Sequence, residues 1–515
     1  MDGVTARTLP VSRTLAAPLA ALAAGAVNVF SFAPFGLWPL QIATLALVFH
    51  LALRARSARG AALIGWAYGT GWLAAGVHWL YISMHRYGGL PGWMAALAVL
   101  ALAVALSLYA ALALGGASWL QRRCRIGPAA MLLLAMPAAW TLAEWSRGWI
   151  LTGFPWIGAG YAHSTGPLAG FAPLVGVYGL AWIGALLAGC LALLPCRRWP
   201  LVLAAVVLAA GLGLKNASWT VPHGEPITVR LLQGNVPQDL KFRQIEQTLA
   251  LYRTMITEAP ADLIATPETA IPALSSRLPP GYLAGLATFA QRSASRLALG
   301  IPVDTPGEGY ANSVLSLGPD AQAYRYDKHH LVPFGEFIPF GAHWFVNMMQ
   351  IPLGDFARGT PIQPPFAVRD QWVMPNICYE DLFGEEIAAQ LRAGAAGRVP
   401  QPTLLLNVSN IAWFGDSIAV PQHLQVSQMR ALELGRPMLR ATNTGATAII
   451  RPDGSVQAQL PPFQRAVLTA EVQGYTGLTP YARFGNTPIV LLALALLGAA
   501  CLSGRNPWRG AGKNG

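Results

Sequence analysis

Eight long stretches of the chain carry almost no charge, and the basic residues between them fall in alternate connections. The stretches run from Leu15 to Phe32, Trp38 to Leu53, Ala61 to Ile82, Trp93 to Leu120, Pro128 to Trp145, Leu168 to Leu194, Trp199 to Leu214 and Thr487 to Leu502. The longer ones suffice to cross about 30 Å of hydrocarbon at about 1.5 Å per residue, and are expected to be spans. Those starting at Trp38, Trp199 and Thr487 need tilt or local thinning of the bilayer, so the count of eight carries a margin of one and a re-entrant helix stays open. With 54% hydrophobic and 11% charged residues, the chain is too apolar for an ordinary soluble enzyme.

Thirteen basic residues lie on one side of these stretches, from Arg7 and Arg13 to Arg505, Arg509 and Lys513. Only Arg86, Arg147 and Lys215 lie in the other connections. The positive-inside rule then places both termini in the cytoplasm and Ala217 to Asn486 outside it. Reading the first stretch as a cleaved signal peptide would put every later basic cluster on the wrong side. The expected organisation is residues 1–215 as an N-terminal membrane domain of about seven spans, 216–486 as an outer domain, and 487–515 as a last helix with a cytoplasmic tail. The net charge of +12 resides in the apolar portions, whereas the outer segment is slightly acidic, so nucleic acid is not an expected partner.

The outer segment alternates β-rich runs with amphipathic ones. Ile227 to Gln233, Leu263 to Thr266, Leu297 to Pro302, Ser313 to Leu317, Ala321 to Tyr326, Gln371 to Cys378, Thr403 to Val408 and Thr447 to Arg451 read as strands. Gln238 to Thr257, Tyr282 to Ser293, Gly384 to Leu391 and Pro421 to Leu434 read as helices. This predicts a layered α/β domain with a mixed sheet.

Cys378 is the only one of five cysteines in that domain, which excludes an internal disulfide and leaves either a small buried hydrophobe or a thiol in use. Glu268 ends an apolar run in Ala265-Thr266-Pro267-Glu268, Lys328 opens Lys328-His329-His330-Leu331-Val332-Pro333-Phe334-Gly335-Glu336, and Cys378 precedes Tyr379, Glu380 and Asp381. Singly, each reads as a surface or structural residue. Together they suit nucleophilic acyl transfer, in which a carboxylate takes the thiol proton and a cation faces the oxyanion. Glu336 is placed to hold Lys328 charged. Adjacent histidines on an extended segment point to opposite faces, and no cluster has zinc-like spacing, so neither metal nor cofactor is expected.

Glu268, Lys328 and Cys378, spaced by 60 and 50 residues, resemble the nitrilase (carbon-nitrogen hydrolase) superfamily. More narrowly, Lys328 to Pro339 (KHHLVPFGEFIP), Asn376 to Glu380 (NICYE), Ser409 to Ser417 (SNIAWFGDS) and Thr152 to Trp156 (TGFPW), set among the apolar stretches, resemble the apolipoprotein N-acyltransferases. The resemblance implies an αββα sandwich in which the three residues end sheet strands. It also implies a ping-pong enzyme on the periplasmic face of a bacterial inner membrane. There Cys378 takes an acyl chain from the sn-1 ester of a phospholipid and passes it to the α-amino group of a lipoprotein's diacylglyceryl-cysteine. Glu268 would be the general base and acid, Lys328 the oxyanion partner, and Glu336, Tyr379 and Glu380 supporting residues. One departure stands out, Phe242 where the family's Leu-Lys pair is followed by Trp.

Phe242, Trp413 and Phe414, with Trp344 and Phe345, are the candidate acyl-pocket residues. Trp413 and Phe414 suit core packing or a pocket wall equally. The apolar stretch His343 to Phe356 reads as crossover packing or as a mobile lid. Phe154, Trp156 and Tyr161 read as an interfacial belt or as the floor of a lipid-admitting groove. Within enzymes the alternative is a membrane-tethered amidase or nitrilase cutting a small C–N bond. A transporter with an outer binding domain is disfavoured because Glu144 is the only charged side chain well inside an expected span.

Overall fold

The computed structural model describes residues 12–307, 309–320, 323–338 and 356–504. All eight apolar stretches form helices, namely α1 (Ser12–Asn28), α2 (Pro39–Leu53), α3 (Ala58–Gly76), α4 (Gly92–Leu106) continued by α5 (Leu108–Cys124), α6 (Met136–Arg147), α7 (Ala172–Leu193), α8 (Pro200–Leu214) and, at the far end, Thr487–Ser503. Among the described residues two helical stretches, Gly92–Cys124 and Pro167–Leu193, are long and apolar enough to cross a membrane. The expectation of eight spans is therefore met only in part. The Ala61 to Ile82 stretch stops its main helix at Gly76, and the Pro128 stretch is broken into successive short helical segments before Met136.

Small residues let these helices approach closely. A Cβ on Gly71 of α3 would stand 2.1 Å from the Leu22 carbonyl of α1, so only glycine fits there. Glu144 on α6 is paired with Arg147 at 3.1 Å, and Arg147 donates to the Phe154 and Trp156 carbonyls while Ala159 N donates to Glu144. The one buried ion pair of α6 thus fixes the loop that leaves it.

Between Val221 and Thr476 the chain builds two six-stranded mixed sheets, as the αββα sandwich of the resemblance implies, where the alternation of runs alone pointed to one mixed sheet. The first contains β1 (Val221–Gln233), β2 (Leu263–Ala265), β3 (Arg296–Thr305), β4 (Gly309–Leu317), β5 (Tyr324–Asp327) and β12 (Ala466–Thr476), in the order β12-β1-β2-β3-β4-β5. The second contains β6 (Phe366–Val368), β7 (Gln371–Ile377), β8 (Leu404–Ser409), β9 (Met438–Thr442), β10 (Ala448–Ile450) and β11 (Val456–Gln459), in the order β11-β10-β9-β8-β7-β6. In each, a parallel trio (β1, β2, β3 or β7, β8, β9) is flanked by antiparallel strands.

Side chains on a strand alternate between faces, and these strands are apolar on both. Val229, Leu231, Leu263 and Ala265 face the other sheet's Val373, Leu404 and Leu406 across a shared core. Leu232, Ile264 and Leu299 face a second core under α9 (Ile245–Thr257) and α10 (Tyr282–Arg292). Helices α11 (Gly384–Ala395) and α12 (Ala419–Leu434) cover the outer face of the second sheet, giving helix, sheet, sheet, helix. The other side of α12 packs into the helical region through Val426, Met429 and Leu432.

The expected helix from Gln238 to Thr257 is two pieces. A turn, Gln238–Lys241, precedes α9, and the break at Phe242 to Gln244 directs Lys241 inward.

Candidate active site

Glu268, Lys328 and Cys378 each follow a strand, β2, β5 and β7, and the inward ends of the two sheets bring them together. Backbone sterics set the approach. A Cβ at residue 300 would stand 2.1 Å from the Pro267 carbonyl, so Gly300 on β3 lets the Glu268 segment cross close above it. Cys378 itself sits at φ 54°, a left-handed conformation that costs a non-glycine residue about 1–3 kcal/mol and turns the thiol out of the strand direction.

Lys328 Nζ donates to Glu336 Oε1 at 2.9 Å and lies 3.4 Å from Glu268 Oε1. Asn312 of β4 ties the group together. Its Nδ2 donates to Glu268 Oε1 at 2.7 Å and to Glu336 Oε1 at 2.9 Å, while its carbonyl accepts from Lys328 N at 2.8 Å. Asn410 N donates to Glu268 Oε2 at 2.9 Å and Val332 N to Glu336 Oε2 at 2.9 Å. All four side chains of this cluster are buried, and Cys378 beside them keeps a partial opening to the surface.

Burial is the strongest influence on the Cys378 thiol and pushes it up to about 12; the Glu268 carboxylate adds to this, against Lys328 and the Ser409 hydroxyl. Ser409 has no conventional hydrogen-bond partner among the described residues, and its hydroxyl lies close enough to favour the thiolate. Burial works against the charge on Lys328, yet Glu336 and Glu268 outweigh it and hold the ammonium well above the ordinary lysine range. The resting site therefore pairs a neutral thiol with a fixed cation and an adjacent carboxylate, which is what proton transfer coupled to nucleophilic attack requires.

Glu380 makes no side-chain hydrogen bond to Glu268, Lys328 or Cys378. It accepts from Ile377 N (2.6 Å), His329 N (2.7 Å), His330 N (3.1 Å) and Tyr326 OH (2.9 Å), joining the Lys328 loop to the Cys378 loop. Tyr379 OH donates to Gly153 O at 2.8 Å, and His330 Nε2 meets Thr152 O at 2.9 Å, so both loops are fastened to the segment after α6. His330 bonds Glu386 at its other nitrogen and His329 bonds Gly359 O. Neither joins a potential metal cluster, and none is found among the described residues.

Of the candidate pocket residues, Trp344 and Phe345 lie outside the described residues, as does the 343–356 stretch except Phe356. Phe242 is 49% exposed, with Lys241 Nζ 6.0 Å from its ring. Phe414 packs on Trp79 (4.3 Å between rings) and Trp413 on Tyr87 (5.5 Å), so both meet the helical region. Trp156 and Tyr161 are almost fully buried, Trp156 donating to Gln422 Oε1 at 2.9 Å and Tyr161 to Leu382 O at 3.4 Å. They form the joint between the two regions and are not an exposed interfacial belt. Sequence reasoning overlooked Asn312, Asn410 and Lys241. Asn410 lies inside the quoted Ser409 to Ser417 motif and Lys241 stands next to Phe242, and only Asn312 offered no signal.

Two families match the chain, the apolipoprotein N-acyltransferase N-terminal domain over residues 24–190 and carbon-nitrogen hydrolase over residues 228–481. The apolipoprotein N-acyltransferase of Ralstonia nicotianae is 54% identical over 96% of this chain and 95% of its own length. The chain belongs to the apolipoprotein N-acyltransferase family. The relative of that name from Chromobacterium violaceum is 46% identical over 98% of this chain and 96% of its own, and that from Nitrosomonas europaea 45% over 94% and 96%. Membership makes the chain an acyltransferase with a nitrilase-like catalytic fold. The amidase alternative loses ground, because the likeness to these acyltransferases extends through the helical region as well as the hydrolase domain.

Proposed function

We propose that residues 1–215 and 487–515 hold the chain in a bacterial inner membrane, with the 216–486 domain on the periplasmic side, and that Cys378, Glu268 and Lys328 carry the acyl transfer. Cys378 Sγ attacks the sn-1 ester carbonyl of a phospholipid while Glu268 takes the thiol proton. Lys328, held charged by Glu336, faces the developing oxyanion. The C–O bond then breaks, Glu268 returns the proton to the departing lysophospholipid oxygen, and a thioester remains. The α-amino group of a lipoprotein's diacylglyceryl-cysteine attacks that thioester, Glu268 accepts its proton, and as the C–S bond breaks with an amide formed Glu268 returns the proton to the Cys378 sulfur. Support comes above all from the buried Glu268, Lys328 and Glu336 cluster set against one partly open thiol.

The helices support the membrane setting. Both substrates are anchored by acyl chains, and lifting a chain into water costs about 0.8 kcal/mol per CH₂, so the site must come to the lipid surface. Tyr379 and Glu380 position the two loops, as their backbone partners indicate. The test is a reconstitution of the full chain with phospholipid and a synthetic peptide bearing an N-terminal diacylglyceryl-cysteine. A third acyl chain on the peptide as an amide is expected; release of free fatty acid with an unmodified peptide would contradict the reading.

A further inference from the structure

Lys241, at the end of the Gln238–Lys241 turn, is 1% exposed, and among the described residues the only hydrogen bond of its Nζ runs to the backbone carbonyl of Glu268 at 3.2 Å. A buried ammonium normally has a carboxylate within reach or its full set of acceptors, because its desolvation is otherwise uncompensated. Lys241 has neither. Burial draws its pKa down to about 8, and the two groups that favour its charge are Glu268 and Cys378.

Charge counting gives this placement a purpose. Glu268 and Glu336 against Lys328 leave one surplus negative charge beside the thiol, and both carboxylates resist its ionisation. A protonated Lys241 brings the four to neutrality. The other charged groups around Cys378 do not help, since Arg440 is matched by Asp381 at 3.3 Å, and burial together with Arg440 keeps His423, which lies 3.3 Å from the Cys378 carbonyl, neutral.

We propose that Lys241 is a second cation of the site, positioning Glu268 through its backbone carbonyl and offsetting the surplus carboxylate so that Cys378 can give up its proton. In that step the S–H bond breaks, an O–H bond forms on Glu268, and negative charge passes from oxygen to sulfur while Lys241 keeps its own proton. The backbone contact acts where it is needed, since Thr269, next to Glu268, is itself at φ 50°. The proposal rests on Cys378 being the nucleophile.

The test compares the full chain with Lys241→Met, Lys241→Gln and Lys241→Arg, reading alkylation of Cys378 by iodoacetamide across a pH series and thioester formation from phospholipid. In Lys241→Met, thioester formation is expected to fall about 10²-fold, the loss typical of a removed charge-stabilising donor, and the alkylation profile to move to higher pH. Lys241→Gln can still donate to the Glu268 carbonyl and isolates the charge, so it should alkylate with the Met profile. Lys241→Arg should recover both readouts. In the native chain thioester formation should decline as pH passes about 8, where Lys241 discharges, and the arginine variant should lack that decline. A Met variant with native rate and profile would overturn the proposal. So would Met and Arg variants that are equally slow with unmoved alkylation profiles, which would leave Lys241 only a packing role. Alkylation needs no lipid, so it reads Lys241 separately; a native chain that never forms a thioester would instead overturn the acyl-enzyme reading.

Discussion

Two buried charged networks meet at Cys378, and they differ in where their bonding capacity is spent. On one side Glu268, Lys328 and Glu336 share Asn312 and face the thiol. On the other, Asp381 pairs with Arg440, Ser427 Oγ donates to Asp381 and accepts from Arg440, and Arg440 also reaches the His423 carbonyl. The second network touches the cysteine only through its backbone carbonyl, by way of His423. Burial of charge alone therefore does not mark a site. The network proposed to do chemistry is the one whose cation and carboxylate face a partly open thiol, while the closed one reaches only that residue's backbone.

The largest effect on this contrast should come from Lys328→Ala. It is expected to cut thioester formation by roughly 10² or more and, by stranding two buried carboxylates, to lower stability by about 3–5 kcal/mol. Single-turnover kinetics and thermal unfolding in detergent read the two losses. Asp381→Ala should separate them. It leaves Arg440 without its carboxylate, so unfolding should shift by a similar 3–5 kcal/mol, while the folded fraction acylates at close to the native rate. An acylation loss as large as that of Lys328→Ala would erase the distinction between the networks.

The smallest effect concerns pH and lies farther from the thiol. Burial pushes the carboxyl of Glu433, paired at 3.0 Å with Arg430 on α12, up to about 7, against the pull of Arg430. The native state then holds more protons than the unfolded chain between about pH 4.5 and 7, so stability should fall as pH rises through that window. The unfolding temperature should decline over it, and Glu433→Gln should flatten the decline.

What was legible in the sequence was whatever announces itself without a partner. Apolar runs gave the helices, and the one cysteine between the seventh and eighth apolar stretches, with a Glu and a Lys at strand ends, gave the proposed reacting groups, which the structure brings together. Residues defined by remote contacts stayed hidden. The Leu-Lys pair before Phe242 gave Lys241 no role, because its partner is a backbone carbonyl 27 residues away. Strand β9 (Met438–Thr442) contains Arg440, fully buried on account of Asp381, and a charge in a short run argues against a central strand. Strands β6, β11 and β12 escaped because they lie at sheet edges, where β11 and β12 are largely polar or half-exposed and β6 is only three residues long. The belt reading of Trp156 and Tyr161 fails for a related reason. An aromatic between two apolar stretches looks interfacial until a second domain is seen to close over it.

The central claim, that Cys378 is acylated by lipid, is tested most directly by intact-mass measurement of the native chain and Cys378→Ala after incubation with phospholipid and no amine acceptor. A fatty-acyl adduct on the native chain alone, labile to hydroxylamine as a thioester is, is the predicted result. No adduct on folded native protein, or an equal adduct on both chains, would contradict it.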